Sequence, residues 1–248
     1  MNYELLIDLH KNNKRQGPGS EEQTKQALHL ANLLNTPRLL KIADIGCGTG
    51  ASTLTLAENV SAKILAVDLF QDFLDILNLD AQQRGVKHKI ETLATAMETF
   101  TFEQNALDVI WSEGAIYNMG FEKGVAYFKQ FLRPNGILAV SEITWLTRKR
   151  PQEIEQYWQA AYPEIATVSE KIAILEKLGF ALKGYFPLPK YCWVENYYAP
   201  LTNSFDHFVA KHNLEDAQAI VESEKTEIEL YKKYSSYYSY GFYVAEKV

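Results

Sequence analysis

Asp44-Ile45-Gly46-Cys47-Gly48-Thr49-Gly50 decides how this chain is read. An apolar run with Leu39, Leu40, Ile42, Ala43 and Ile45 leads into three glycines at alternate positions, and a helical stretch, Ala51 to Asn59, follows. A strand, a glycine turn and a helix start let backbone approach a nucleotide-like ligand with no side chain in the way. The next apolar run, Ile64 to Val67, ends on Asp68, 18 residues after Gly50. A carboxylate at the tip of a second strand can accept hydrogen bonds from both hydroxyls of a ribose. The pattern predicts an adenosine-bearing cofactor and by itself leaves two open. Gly46-x-Gly48-x-x-Ala51 with Asp68 satisfies the looser fingerprint for nicotinamide dinucleotides as well as a turn for S-adenosylmethionine (SAM). Asp44, just ahead of the turn, suits a cationic amino-acid tail better than a pyrophosphate.

Outward from the turn, strand and helix patterns alternate. Leu39–Ile45, Lys63–Asp68, Lys87–Leu93, Ala106–Trp111 and Gly136–Ile143 read as strands. Ala51–Asn59, Phe70–Gln83 and Phe121–Phe131 read as the helices between them. Such alternation implies parallel crossovers in a doubly wound α/β sheet, with its ligand at the carboxyl ends of the strands. Before this core, Met1 to Asn12 has weak helical periodicity, and Lys14 to Ser20 is a loop by composition. Ser20 with Gln23 forms a capping box for a helix that runs to about Leu34. After the core, Pro151–Tyr162 and Ser169–Leu178 look helical, Gly179–Pro187 reads as a strand, and Tyr237–Ala245 reads as a final strand. Between those two strands lies an insertion, residues 188–235, rich in aromatics and closing with a polar helix around Leu214–Tyr234.

At 248 residues, 47% hydrophobic and 23% charged, the chain can bury one large core. A net charge of −6 argues against nucleic acid or an anionic membrane surface as partner. Arg148-Lys149-Arg150 reads as a solvated loop. Two cysteines make no disulfide framework and fit a reducing compartment; with five scattered histidines they give no metal-ligand spacing. Cys47 reads as a small buried filler. The start, with Glu4 and Asp8, lacks the pattern of a signal peptide, and no apolar run is long enough to span a membrane. The expected location is the cytoplasm.

Leu107-Asp108-Val109-Ile110-Trp111 and Leu132-Arg133-Pro134-Asn135-Gly136 stand where a fourth strand and the turn into a fifth belong. Joined to Asp44-x-Gly46-x-Gly48-x-Gly50 and Asp68, they make residues 39–143 resemble the class I SAM-dependent methyltransferases, in particular the small-molecule kind called methyltransferase type 11. Gly241-Phe242-Tyr243-Val244-Ala245 is similar to the antiparallel closing strand of that fold. The resemblance implies a mostly parallel, seven-stranded, Rossmann-like sheet with an antiparallel final strand and a helical, aromatic-rich insertion. It implies SAM as cofactor, with S-adenosylhomocysteine as product. It also implies one domain over 1–248: N-terminal helices and a lid in 1–36, a cofactor-binding core in 37–145, and the 188–235 insertion as substrate cap. By position, Gly46, Gly48 and Gly50 form the turn that admits the methionine part, Asp44 and Cys47 belong to the same cofactor-binding stretch, Asp68 binds the ribose, and Leu69 packs on adenine. Where many members carry an Asp near the adenine amine this chain has Ala96, which leaves the Met97 backbone N–H as the contact. Ser112 and Glu113 lie beside the sulfonium and substrate.

Methyl transfer from a sulfonium needs a lone pair in line with the S–CH3 bond and a pocket that excludes water. A base is needed only for a nucleophile that arrives protonated. Glu113 is the candidate base or substrate acceptor, with a structural acceptor for the following turn as the competing role. Tyr117, Asn118, Glu142, Trp145, Trp193 and Tyr197 are the candidate substrate contacts. The aromatics either pack as a plain helical cap or roof the site and hold a cationic or apolar acceptor. The Arg15–Ser20 loop is either a lid or a linker. The expected partners are a small-molecule acceptor and a second copy of the chain. A SAM binder without turnover and a nicotinamide-dependent dehydrogenase are the alternatives.

Overall fold

The computed structural model describes residues 3–212 and 214–248. The first two residues of the N-terminal helical expectation lie outside it. Helices α1 (Tyr3–His10) and α2 (Glu21–Leu30) precede β1 (Leu40–Ile45). The chain continues through α3 (Ala51–Asn59), β2 (Ala62–Asp68), α4 (Gln71–Gln83), β3 (Ile90–Ala94), β4 (Leu107–Glu113), α5 (Phe121–Lys129) and β5 (Leu132–Trp145). It then forms α6 (Gln152–Ala161), the two-residue β6 (Ala166–Thr167), α7 (Val168–Lys177), β7 (Phe180–Pro187), α8 (Lys190–Trp193), α9 (Ala199–His212), α10 (Glu215–Tyr234) and β8 (Tyr238–Lys247).

The sheet runs β3-β2-β1-β4-β5-β8-β7, with β6 beside the end of β5. β8 is antiparallel to both neighbours, and the other pairs are parallel. The seven-strand expectation thus describes the main path, and β6 adds a short eighth strand that two residues of weak pattern did not signal. Strand order reverses between β1 and β4, which opens a crevice at their carboxyl ends. Alternation along β5 separates two cores. Ile137, Ala139 and Ile143 face the side covered by α2, α3, α4 and the 188–235 segment, while Leu138 and Val140 face α5 and α7.

Four local expectations are corrected. The third strand starts at Ile90, because Lys87–Lys89 closes a 3-10 turn instead of extending. The fifth strand is longer than Gly136–Ile143 at both ends. α2 stops at Leu30, where Asn32 turns left-handed at φ +57°. Ser20 does cap α2, accepting from Gln23 N–H at 3.2 Å, but the Gln23 side chain donates to Tyr191 Oη at 3.3 Å and does not complete a capping box. Asp108 is structural: it accepts from Lys41 N–H at 2.8 Å and pairs with Arg38 and Arg133.

Candidate functional site

The carboxyl ends of β1, β2 and β4 converge on the glycine turn. Gly46, Gly48 and Gly50 hold φ of +72°, +55° and +89°, a region that L side chains adopt only at a cost. A Cβ at Gly46 would overlap Ala115, and one at Gly50 would overlap Leu77 on α4. Those two glycines therefore let protein pack against protein. Gly48 differs, because a Cβ there would overlap the carboxamide oxygen of Gln16. That oxygen accepts from Thr49 N–H at 2.9 Å, and the Gln16 amide donates to the carbonyls of Asn13 at 3.0 Å and His10 at 3.3 Å. The N-terminal loop thus presents a polar group to the backbone donors of the turn.

Asp68 ties the turn to β2. Its Oδ2 accepts from Gly48 N–H at 2.8 Å and its Oδ1 from Phe70 N–H at 3.0 Å. Burial raises its pKa, against the pull of these backbone donors. Leu69, beside it, is 49% exposed, an apolar surface open at the mouth of the crevice. Met97 is half-buried, with its methyl carbon 3.5 Å from where a Gly46 Cβ would stand, and Ala96 is half-buried next to it. Cys47 is buried, and burial drives its thiol well above the ordinary range.

Asp44 is fully buried behind the turn. Its Oδ2 accepts from Ser52 at 2.8 Å and Thr53 at 2.6 Å, which locks α3 onto β1. Its Oδ1 is buried with no partner among the described residues. Burial pushes its pKa up to about 7. Ser112 is buried and spends its hydroxyl on the Ile45 carbonyl at 2.8 Å, holding β4 to β1. Glu113 is occupied on both oxygens: Arg15 reaches Oε2 at 2.9 Å, while Thr24 and the Trp111 indole reach Oε1 at 2.7 and 2.9 Å. The Arg15–Ser20 loop is thereby tied to the end of β4. Its far end meets the 188–235 segment through Ser20 and Tyr191 at 3.0 Å and Gly19 and Asn196 at 2.8 Å.

The expected substrate contacts divide. Tyr117 is 40% exposed on the turn after β4, and Asn118 donates to the Ala115 carbonyl at 3.0 Å. Glu142 is fully buried. Its Oε1 receives Lys171 at 2.7 Å and Tyr162 at 2.5 Å, and its Oε2 has no partner among the described residues. Burial raises its pKa while Lys171 opposes the rise. Trp145 is buried in the wall, with the Arg150 guanidinium 4.1 Å from its ring centre. Trp193 is buried, stacks on Tyr231 at 4.5 Å and donates to Ser239 at 3.0 Å. Tyr197 packs beside Tyr198 at 5.2 Å.

Residues 42–136 match the family model described as a methyltransferase domain. This stretch of the chain is similar to a methyltransferase domain. The fold of the chain is similar to that of the SAM-dependent methyltransferase of Geobacter sulfurreducens solved with S-adenosylhomocysteine. That match has a TM-score of 0.84 at 18% identity and covers 99% of this chain and 98% of the other. At that identity the likeness speaks for the fold. A phosphoethanolamine N-methyltransferase of Triticum aestivum is 26% identical over 165 residues, 65% of this chain and 31% of its own length. A trans-aconitate 2-methyltransferase of Variovorax paradoxus is 26% identical over 209 residues, 82% of this chain and 73% of its own. The chain spans 31% and 42% of the lengths of the first two curated relatives it matches.

The folded chain also engages residues that sequence reasoning passed over. Gln16 had no signal beyond its place in a flexible loop. Lys171 gave no signal beyond its place in the helical stretch Ser169–Leu178. Glu224 and Glu227 did leave a trace, since Glu224 falls at helical spacing with the buried Val221, Ile228 and Tyr231 of α10. An acid inside an apolar stripe is the mark of an inward-facing carboxylate.

Proposed function

We propose that this protein is a SAM-dependent methyltransferase acting on a small-molecule acceptor. One observation carries the reading: Asp68, its carboxylate braced by Gly48 and Phe70, stands at the tip of β2 beside the exposed Leu69. The residues present fit the cofactor. Asp68 would hold the ribose, Leu69 and Met97 would flank the adenine, and the unpartnered Asp44 Oδ1 is an acceptor that an ammonium tail would satisfy. Bound SAM supplies an electrophilic methyl group on a sulfonium. The chain's own work is to orient and to exclude water. Gln16 and Arg15 close the N-terminal loop over the crevice, and the aromatic 188–235 segment covers the acceptor side.

Glu113 enters this reading chiefly as a positioning residue, since both oxygens are held by Arg15, Thr24 and Trp111. The same engagement favours the second reading, a SAM binder without turnover. Glu113→Gln separates a base from a brace: a base loses turnover with SAM affinity kept, and a brace loses affinity as well. No helix among the described residues is long and apolar enough to cross a membrane. A cytoplasmic location is supported by two free, buried cysteines. The net charge of −6 supports an acceptor other than nucleic acid or membrane. A homodimer is the expected assembly, to be read from light scattering of the purified chain.

The test is calorimetry with SAM, S-adenosylhomocysteine and NAD, followed by an assay of S-adenosylhomocysteine release against a metabolite library. SAM binding with turnover is the expected result. NAD binding without SAM would overturn the reading, and SAM binding with no turnover on any acceptor would leave the binder.

A further inference from the structure

Every backbone donor of the glycine turn is engaged. Gly46 and Cys47 N–H donate to the Val67 carbonyl at 2.8 and 3.0 Å, Gly48 N–H donates to Asp68 at 2.8 Å, and Gly50 N–H donates to the Cys47 carbonyl at 2.9 Å. Those bonds stay within the turn and β2. Thr49 N–H is met from elsewhere in the chain, by the Gln16 carboxamide oxygen at 2.9 Å. The Thr49 hydroxyl turns to the same segment, toward the Asn13 and Lys14 carbonyls at 3.4 Å and Gln16 Oε1 at 3.2 Å.

One residue earlier, Arg15 pairs with Glu113 at 2.9 Å and donates to Thr24 at 3.4 Å. Gly19 leaves room for it, since a Cβ there would overlap the guanidinium. Gln16 thus sits on the turn after β1 and Arg15 on the end of β4. Strand order reverses between those two strands, so residues 11–19 form a strap that bridges the reversal. Its far end is tied down by Asn196, which donates to the Gly19 carbonyl at 2.8 Å, and by Gly19 N–H, which donates to the Cys192 carbonyl at 3.4 Å.

Polar contacts hold the strap shut. Pro18 is the one apolar side chain in residues 11–19, whereas α1 buries Leu5 and Leu9 and α2 buries Ala27 and Leu28. A Cβ at Gly17 would meet nothing within 4 Å. Asn13 is 9% exposed, and its Nδ2 is buried without a partner among the described residues, which weighs against the shut form. Segments with few apolar contacts open at the low end of the local-stability scale. The two helices are fixed flanks, and the strap is the part free to lift.

We propose that the strap is a latched gate. It is shut before the cofactor arrives, and release of Gln16 from Thr49 and of Arg15 from Glu113 sets how fast the cofactor enters and leaves. A ligand seated at the carboxyl ends of β1 and β4 shares that place with the strap, so the two contacts break for it to pass. The inference rests on the SAM reading for what passes the gate, and the latch can be measured apart from it.

The whole chain is mixed with S-adenosylhomocysteine in a stopped-flow instrument and tryptophan emission is followed, Trp111 reporting through its bond to Glu113 at 2.9 Å. The observed rate should level off at high ligand, at the rate of strap opening. Gln16→Ala and Arg15→Met each remove a contact that the opened strap lacks, and should raise the plateau about tenfold, the scale of one such bond. Both variants leave Glu113 its Thr24 and Trp111 donors, so both should fold. A rate that stays proportional to ligand throughout, as for an open site, overturns the inference, and so does a plateau unchanged in both variants. Hydrogen exchange gives a second reading on the unaltered chain. Saturating S-adenosylhomocysteine should slow the amides of residues 13–19 about tenfold or more, and equal exchange with and without it overturns the gate. If S-adenosylhomocysteine does not bind, the cofactor reading falls and exchange in the ligand-free variants decides the latch: faster amides at 13–19 sustain it, and unchanged ones remove it.

Discussion

Replacing Asp68 by Asn tests the brace at the centre of the site. The carboxylate takes two backbone donors, Gly48 N–H at 2.8 Å and Phe70 N–H at 3.0 Å, one on each oxygen. An amide offers one oxygen and turns an NH2 toward the other donor. One charge-assisted bond, worth roughly 1.5–3 kcal/mol, is lost and a donor is left facing a donor. Part of that returns, because burial raises the Asp68 pKa and a neutral group escapes the desolvation cost. The net destabilisation of the ligand-free protein should be about 1–2 kcal/mol, read as a lower urea midpoint with unchanged slope. Calorimetry with SAM on the same variant isolates the ribose contribution, expected as a further tenfold or so in Kd for one hydrogen bond to a charged group. Wild-type stability together with wild-type affinity would refute the assignment of this carboxylate to turn and ribose alike.

Three other outcomes follow from the same geometry. Lys171→Met strands Glu142 as an unpaired charge in a site where both side chains are almost wholly buried, at 1% and 0% exposed, and should cost about 3–5 kcal/mol in urea unfolding; adding Glu142→Gln should restore part of it. Gly46→Ala forces a side chain into left-handed backbone and into Ala115, so a loss of about 2–4 kcal/mol and of SAM binding is expected, and a variant as stable as the parent would contradict the close approach of the two turns. Asp44 and Glu224 each rise to about 7 in the folded chain from ordinary values of 3.8 and 4.5. Between those values and neutrality the folded state binds more protons than the unfolded one, so their contribution to stability is full in acid and is lost as pH climbs toward 7. Asp44→Asn and Glu224→Gln should therefore flatten the decline in melting temperature from pH 5 to pH 8, and an unchanged slope would show that neither group holds its proton.

Much of the framework is written locally. Alternation of apolar runs with amphipathic stretches gives the strands and helices around the turn, and Ala51–Asn59 begins and ends where the sequence places it. Boundaries slip where charge or a neighbour intervenes, as at Lys87–Lys89 and in β5. That Asp44, Asp68, Ser112 and Glu113 stand at or near strand ends was legible, because the parallel topology fixes where those ends lie. What each does with its polar atoms was not. Ser112 turns to Ile45 and Glu113 to Arg15, and each of those bonds joins residues more than sixty positions apart.

By itself the sequence determined a doubly wound α/β core and a glycine turn with an acid on the adjacent strand, since periodicity and the steric freedom of glycine act over a few residues. Only the tertiary structure decided that Gly46 and Gly50 serve packing, that Gln16 lies on the turn, and that Glu227 meets the Tyr198 hydroxyl. Burial, charge pairing and contact between distant segments are properties of the folded chain, and no local pattern specifies which side chains will share an enclosure.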